Sequence, residues 1–223
     1  ANVEAAAEME AAAPDAQRAA AAVPCGATLP TETPGPDLIE VPADSTVYEP
    51  AANGFGLQLP AAMGEGRGIT VEKDGHTIEL IPVGGDFTNS AIDGNAIRFT
   101  EVRPGADYQY TLVGGVLKED IVLTGPAEPF DLRTRIFADD DLEVVEESGL
   151  VLVRERAAEG ASESGPVVLT LAAPIAVDAA EAVDNTLTMN LTADEDGAPV
   201  AEVGVNWDWL LAPERAYPVR IDP

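Results

Sequence analysis

From Asn53 onward, hydrophobic and polar residues alternate with a period of two. Leu57 and Leu59 alternate, then Ile69 and Val71, then Ile78 and Leu80. The Asp74-Gly75 pair between the last two runs predicts a two-residue type I′ hairpin. Ile97 and Phe99 form a short run, and Tyr108, Tyr110 and Leu112 oppose Asp107, Gln109 and Thr111. Gly114-Gly115 turns the chain into Leu117, Ile121 and Leu123. Phe130, Leu132 and Ile136 alternate with Asp131, Arg133 and Arg135. Leu150 and Leu152 follow a Ser148-Gly149 turn. Val167, Leu169 and Leu171 make a further run, and Leu187, Met189 and Leu191 oppose Thr186, Thr188, Asn190 and Thr192. Val203 and Val205 precede the closing run of Tyr217, Val219 and Ile221. Successive side chains of a strand point to opposite faces, so each run has one apolar face. The pattern predicts an all-β fold: an antiparallel β-sandwich of about 11–13 short strands. Trp207-Asp208-Trp209-Leu210-Leu211 breaks the alternation and predicts a helical turn before the last strand.

The first part of the chain differs. Residues 1–23 hold twelve alanines and early glutamates, which suits a short Ala-rich N-terminal helical segment interrupted at Pro14. Residues 24–52 carry Pro24, Pro30, Pro34, Pro36, Pro42 and Pro50 and read as an extended, polyproline-like linker. The domain reading is therefore a tail over 1–23, a linker over 24–52 and a β-sandwich module over 53–223. The chain begins at Ala1 without Met, as a processed chain or a piece of a longer protein would.

Composition narrows the function classes. Forty acidic residues face twelve basic ones, a formal net charge of −28. Phosphate contacts need a basic face, so nucleic-acid binding is disfavoured, and so is an anionic membrane surface. Only Lys73 and Lys118 are lysines. Low Lys with excess acid fits a halophile, a high-GC genome or an extracellular protein under solubility pressure. The lone cysteine, Cys25, excludes an internal disulfide and a Cys-based zinc site, and reads as a bystander in the linker. No apolar run reaches the length of a membrane-spanning helix.

Candidate chemistry is sparse. His76, the sole histidine, flanks the Asp74-Gly75 turn and reads as an exposed turn residue rather than a catalytic base. The GxSxG, Walker A, HExxH and dinucleotide-binding fingerprints are missing from the sequence. Asp139-Asp140-Asp141 and Asp194-Glu195-Asp196-Gly197 could offer oxygen ligands to calcium. The second lacks the glutamate an EF-hand needs at its twelfth position, which is Val205. Glu143, Glu146 and Glu147 read as a solvated strand face, and Asn190-Leu191-Thr192 is a glycosylation sequon by pattern. Trp207 and Trp209 read as core anchors rather than a carbohydrate platform. The residues thus point to no enzyme, no catalytic residue, no metal site and no cofactor.

Several segments together resemble a known type of module. Asn95-Ala-Ile-Arg-Phe-Thr-Glu-Val-Arg-Pro-Gly-Ala-Asp-Tyr-Gln-Tyr110 leads into Gly115-Val-Leu-Lys-Glu-Asp-Ile-Val-Leu123. Ala173-Pro-Ile-Ala-Val-Asp178 follows, and the end reads Trp209-Leu-Leu-Ala-Pro-Glu-Arg-Ala-Tyr-Pro-Val-Arg-Ile-Asp-Pro223. Their order resembles the β-rich module upstream of repeats in large wall-associated and rearrangement-hotspot (Rhs, YD-repeat) proteins of Gram-positive bacteria. The resemblance covers residues 53–223 and departs at the acidic composition and the Asp-rich stretch around Asp139. It implies a non-catalytic structural or adaptor module of a secreted or cell-surface protein, with the chain continuing past the final Asp-Pro. Its partners would be other domains or chains of an extracellular assembly. The alternatives are a subunit of a surface filament or layer, whose N-terminal arm docks on a neighbour's sheet edge as a homo-oligomer, and a carbohydrate-binding domain.

The charge also sets a salt response. A monomer of this size exposes roughly 9,700 Å², which spaces the net charges about 18 Å apart. The Debye length is about 8 Å at 0.15 M salt and about 30 Å at 0.01 M. Raising NaCl between those values should lift the melting temperature by a few degrees, read by thermal denaturation. A flat response would mean that the acids are locally paired, bound to cations, or spread on an oligomer.

Overall fold

The computed structural model describes residues 35–41, 44–50, 55–64, 66–113, 116–158, 164–172 and 174–222. The helical segment expected over 1–23, Cys25 and the Gly114-Gly115 turn lie outside them. Thr33–Pro223 is one compact unit.

In chain order the strands are β1 (Leu38–Val41), β2 (Asp44–Pro50), β3 (Gly56–Pro60), β4 (Ile69–Lys73), β5 (His76–Pro82), β6 (Ser90–Asp93), β7 (Ala96–Arg103), β8 (Ala106–Val113) and β9 (Val116–Leu123). They continue as β10 (Leu132–Ala138), β11 (Leu142–Glu147), β12 (Leu150–Glu155), β13 (Val167–Leu171), β14 (Ile175–Val177), β15 (Val183–Asp184), β16 (Thr188–Ala193), β17 (Pro199–Gly204) and, after the helical turn α1 (Trp207–Leu210), β18 (Val219–Asp222). Three sheets result. One has eight strands in the order β1-β2-β3-β4-β5-β10-β17-β16, one has seven in the order β15-β14-β18-β9-β8-β7-β6, and β11-β12-β13 form the third. Every strand pairing is antiparallel. The molecule is an antiparallel β-sandwich, as the alternation predicts.

Two hairpins follow directly from local chemistry. Asp74 and Gly75 have φ of 55° and 88°, and Ser148 and Gly149 have 55° and 76°. Two successive positive φ values define the type I′ turn, whose twist matches that of the strands it joins. Lys73 pairs with His76 across the first turn and Glu147 with Leu150 across the second. At Asp74 and Ser148 a short polar side chain occupies the left-handed region that glycine otherwise fills.

The apolar sides converge on two cores. The larger joins Leu57, Leu59, Ile69 and Val71 of the eight-stranded sheet to Ile97, Phe99, Tyr108, Tyr110, Leu112, Ile121, Leu123, Val219 and Ile221 of the seven-stranded sheet. Phe87, in the β5–β6 connection, meets Phe99 and Tyr108 edge-on with ring centroids 5.5 and 5.0 Å apart, a favoured aromatic geometry. The smaller core places Ile78, Ile136, Met189 and Ala201 of the eight-stranded sheet under Leu142, Val151, Val153 and Val168 of the three-stranded one. Leu80 and Val203 belong to both margins. The helical turn at Trp207–Leu210 forms where the alternation breaks, capped by Asn206, which accepts from the Trp209 amide.

The described residues form 18 strands where 11–13 are expected. The additional ones are β1, β2, β6, β14 and β15, all short or flanked by proline. β1 and β2 lie within the stretch read as an extended linker. Leu38 is buried in the larger core, and its amide donates to the Gly94 carbonyl at 2.9 Å. Removing a buried leucine side chain costs about 2–5 kcal/mol, several degrees of melting temperature for a domain of this size. Leu38→Ala should show that loss, and a chain beginning at Asn53 at least as much. Equal melting of both with the parent would return the domain boundary to residue 53.

Candidate functional site

The acidic turns singled out in the sequence take different roles. Asp194 closes the β16–β17 turn: its Oδ1 accepts from the amides of Asp196 and Ala198 at 2.9 and 2.8 Å, and its Oδ2 lies 2.6 Å from Arg135 Nε. The first oxygen ligand of an EF-hand-like loop is therefore engaged inside the fold. Glu143 and Glu147 accept from Arg154, at 2.8 and 2.5 Å, and Glu146 accepts from the Leu191 amide on edge strand β16 at 2.8 Å. Glu146 and Glu147 are exposed, as a solvated face requires, and from that face these glutamates also tie the three-stranded sheet together and to its neighbour. Asn190, of the sequon, is exposed on β16.

Both tryptophans pack inward. Trp207 lies 5.1 Å from the Phe130 ring, and the Arg215 guanidinium sits 4.2 Å over Trp209. Both are partly buried against the larger core.

His76 is not an exposed turn residue. Its side chain is 12% exposed, because position 76 shares the inward face of β5 with Ile78 and Leu80. Its Nε2 lies 3.3 Å from Glu155 Oε1 and its Nδ1 3.5 Å from Asp141 Oδ1. Asp139 lies beside them, accepting from the Thr77 amide at 2.7 Å. Lys73, across the hairpin, donates to the Val168 carbonyl of β13 at 2.9 Å. The Lys73 and His76 side chains flanking this turn thus reach the three-stranded sheet.

The segments that carry the resemblance come together in one sheet. They supply β7, β8, β9, β14 and β18, which are contiguous in the order β14-β18-β9-β8-β7. Each contributes a charged or polar tie. Asp107 accepts from Arg98 at 2.6 Å and from the Glu101 amide at 2.7 Å, holding Glu101 at a φ of 53° where the β7–β8 register shifts. Asp178 is the tightest hub, with its side chain 1% exposed. It accepts from the amides of Ala180, Ala182 and Ala216 at 2.9, 2.9 and 3.3 Å and from Arg215 Nη1 at 3.0 Å. Nearby, the Tyr217 hydroxyl donates to the Leu210 carbonyl at 2.8 Å. The Asp178 end of one segment and the Arg215 end of another, 37 positions apart, are thereby latched together.

Glu119 faces inward on β9 between Leu117 and Ile121 and accepts from the Tyr110 hydroxyl at 2.7 Å. Burial raises its carboxyl from 4.5 to about 7 despite that hydrogen bond, and the neighbouring Asp120 and Asp222 add to the rise. Burial also pushes the Tyr110 hydroxyl well up. For Asp178 burial works in the same upward direction. The three backbone donors and Arg215 overcome it and hold the carboxyl below the usual aspartate range. Asp194 is lowered likewise, against burial, by the amides around its turn and by Arg135.

The two kinds of shift act oppositely on stability. A carboxyl lowered in the fold contributes fully above about pH 4 and loses that contribution as pH falls. Glu119, raised in the fold, stabilises least when ionised, so stability falls as pH rises from about 4.5 to about 7. The melting temperature should therefore peak near pH 5. Glu119→Gln should abolish the decline above it, by about 3 kcal/mol at most, and leave the acid side unchanged. A parent profile flat from pH 5 to 8 in thermal scans would contradict the burial of Glu119. No protein-family model, curated protein or solved structure matches the chain.

Proposed function

We propose that this chain is a non-catalytic structural or adaptor module of a larger secreted or cell-surface protein of the Rhs-like or wall-associated kind. The observation that carries the reading is the convergence of the four resembling segments on one contiguous sheet. Charged residues within those segments, Asp107, Asp178 and Arg215, act as ties between backbone segments. A segment retained for catalysis would be expected to turn such groups toward a cleft; here they hold turns. The net charge of −28 supports an environment in which solubility matters and nucleic acid is no partner.

The packing of Trp207 and Trp209 against Phe130 and Arg215 weakens the carbohydrate-binding alternative, since a stacking platform needs free ring faces. The filament alternative differs from the module in one property: it predicts ordered polymers of the isolated chain.

Antibodies raised against the purified chain test the reading. In the source organism they should detect a species well above 23.1 kDa in the wall or medium fraction. A free species of that mass confined to the cytosol would overturn it. Ordered polymers of the purified chain in electron micrographs would favour the filament subunit instead.

A further inference from the structure

The surroundings of His76 pose a chemical problem. Both ring nitrogens face carboxylate oxygens: Nε2 faces Glu155 and Nδ1 faces Asp141. An ionised carboxylate only accepts, and a neutral imidazole has one N–H to give. With Nε2–H given to Glu155, the Nδ1 lone pair faces the Asp141 carboxylate, whose side chain is 68% exposed, and a cation between the two would be held by both. The Nδ1–Asp141 separation of 3.5 Å is longer than a good hydrogen bond. It is close to the ~3.4 Å that separates two ligands on one tetrahedral zinc ion with bonds of about 2.0–2.1 Å. Asp139 offers a third ligand: one donor atom each from His76, Asp139 and Asp141 lie within 4.8 Å of one another, wider than one tetrahedral ion spans, so the two exposed aspartate side chains would close in on the ion.

We propose that His76, Asp139 and Asp141 form a binding site for a divalent transition-metal ion of the zinc type, with Glu155 as the carboxylate that orients the histidine. In this arrangement Nε2 donates its proton to Glu155, which leaves the Nδ1 lone pair for the metal. A carboxylate–histidine–metal relay of this form fixes the tautomer and raises ligand basicity. The nitrogen ligand selects zinc-like ions over calcium and magnesium, which prefer oxygen alone. With the dication, the three carboxylates of Asp139, Asp141 and Glu155 leave one net negative charge at the site, against two with a ring proton alone.

The fold brings the ligands from two places, the start of β5 and the β10–β11 turn. His76 is set by the β4–β5 turn on the inward face of β5. Asp139 is held by a reciprocal pair of bonds with Thr77: its Oδ2 accepts from the Thr77 amide at 2.7 Å, and its amide donates to the Thr77 carbonyl at 3.3 Å. Asp141 follows in the β10–β11 turn, where its carbonyl accepts from the Arg156 amide at 2.8 Å. Glu155 ends β12. The metal would link the eight-stranded sheet to the turn that leads into the three-stranded one, so its binding reads out as stability.

His76 is the only histidine, so imidazole ¹⁵N resonances report it alone. The full chain, in 0.15 M NaCl to suppress diffuse binding to its many acids, is titrated with ZnCl₂, and with CaCl₂ in parallel. One zinc per chain should bind, shift the Nδ1 resonance and raise the melting temperature by several degrees, with calcium leaving that resonance in place. The double variant Asp139→Asn/Asp141→Asn should lose the site. Glu155→Gln, which keeps every proposed ligand, should bind about 10–100-fold more weakly. A histidine that stays doubly protonated at pH 7 with zinc present would overturn the proposal. So would zinc uptake that leaves the ring resonances unmoved, or identical binding by parent and Glu155→Gln.

Discussion

The described sheets are arranged around one apolar face of the eight-stranded sheet that no single partner sheet covers. The residues Leu57, Leu59, Ile69 and Leu132 lie under the seven-stranded sheet, and Ile78, Ile136, Met189 and Ala201 lie under β11-β12-β13. Apolar surface left open to water costs about 25 cal/mol per Å², so the second cover is not an optional addition. Strands β10 and β17 run beneath both: Leu132 and Ile136 of β10 belong to different cores, and Val203 of β17 meets both. The two cores share one backbone floor.

A chain with forty acidic and twelve basic residues must place its few cations carefully. They sit at joints. Arg135 holds the β16–β17 turn through Asp194, Arg154 joins β12 to β11 through Glu143 and Glu147, and Arg215 secures the stretch before β18 to the β14–β15 turn through Asp178. Lys73 and His76 connect the tip of the β4–β5 hairpin to β13 and β12. Of the acids meeting them, Asp178 and Asp194 are buried, with side chains 1% and 9% exposed, while Glu143 and Glu147 stay 30% and 52% exposed. Such ties position elements more than they stabilise them, which suits the proposed role of a rigid module within a larger extracellular chain.

The sequence made the alternating strands legible because a one-sided sheet writes its period directly into the chain. Asp74-Gly75, Ser148-Gly149 and the Trp207 turn were equally plain, since each depends on neighbours in sequence. β1 and β2 were hidden by proline density. Pro50, Pro60 and Pro82 all end strands and Pro199 begins one, positions where a missing N–H is tolerated. Asp178 and Arg215, 37 positions apart, carry no local sign of pairing. His76 was misread for the same reason: as a neighbour of a turn it looks exposed, but Glu155, 79 positions on, closes over it. Asp139 and Asp141 could be noticed as acids but not as its companions.

Native-state hydrogen exchange tests the shared floor most directly. If β10 and β17 lie under both covers, opening of the three-stranded sheet uncovers only half of what protects them. Their amides should then be among the slowest, exchanging with the free energy of global unfolding, while β11–β13 open at lower cost. Exchange of β10 and β17 as fast as that of β11–β13 would mean the two cores do not rest on a common floor, and the account of the fold would fail.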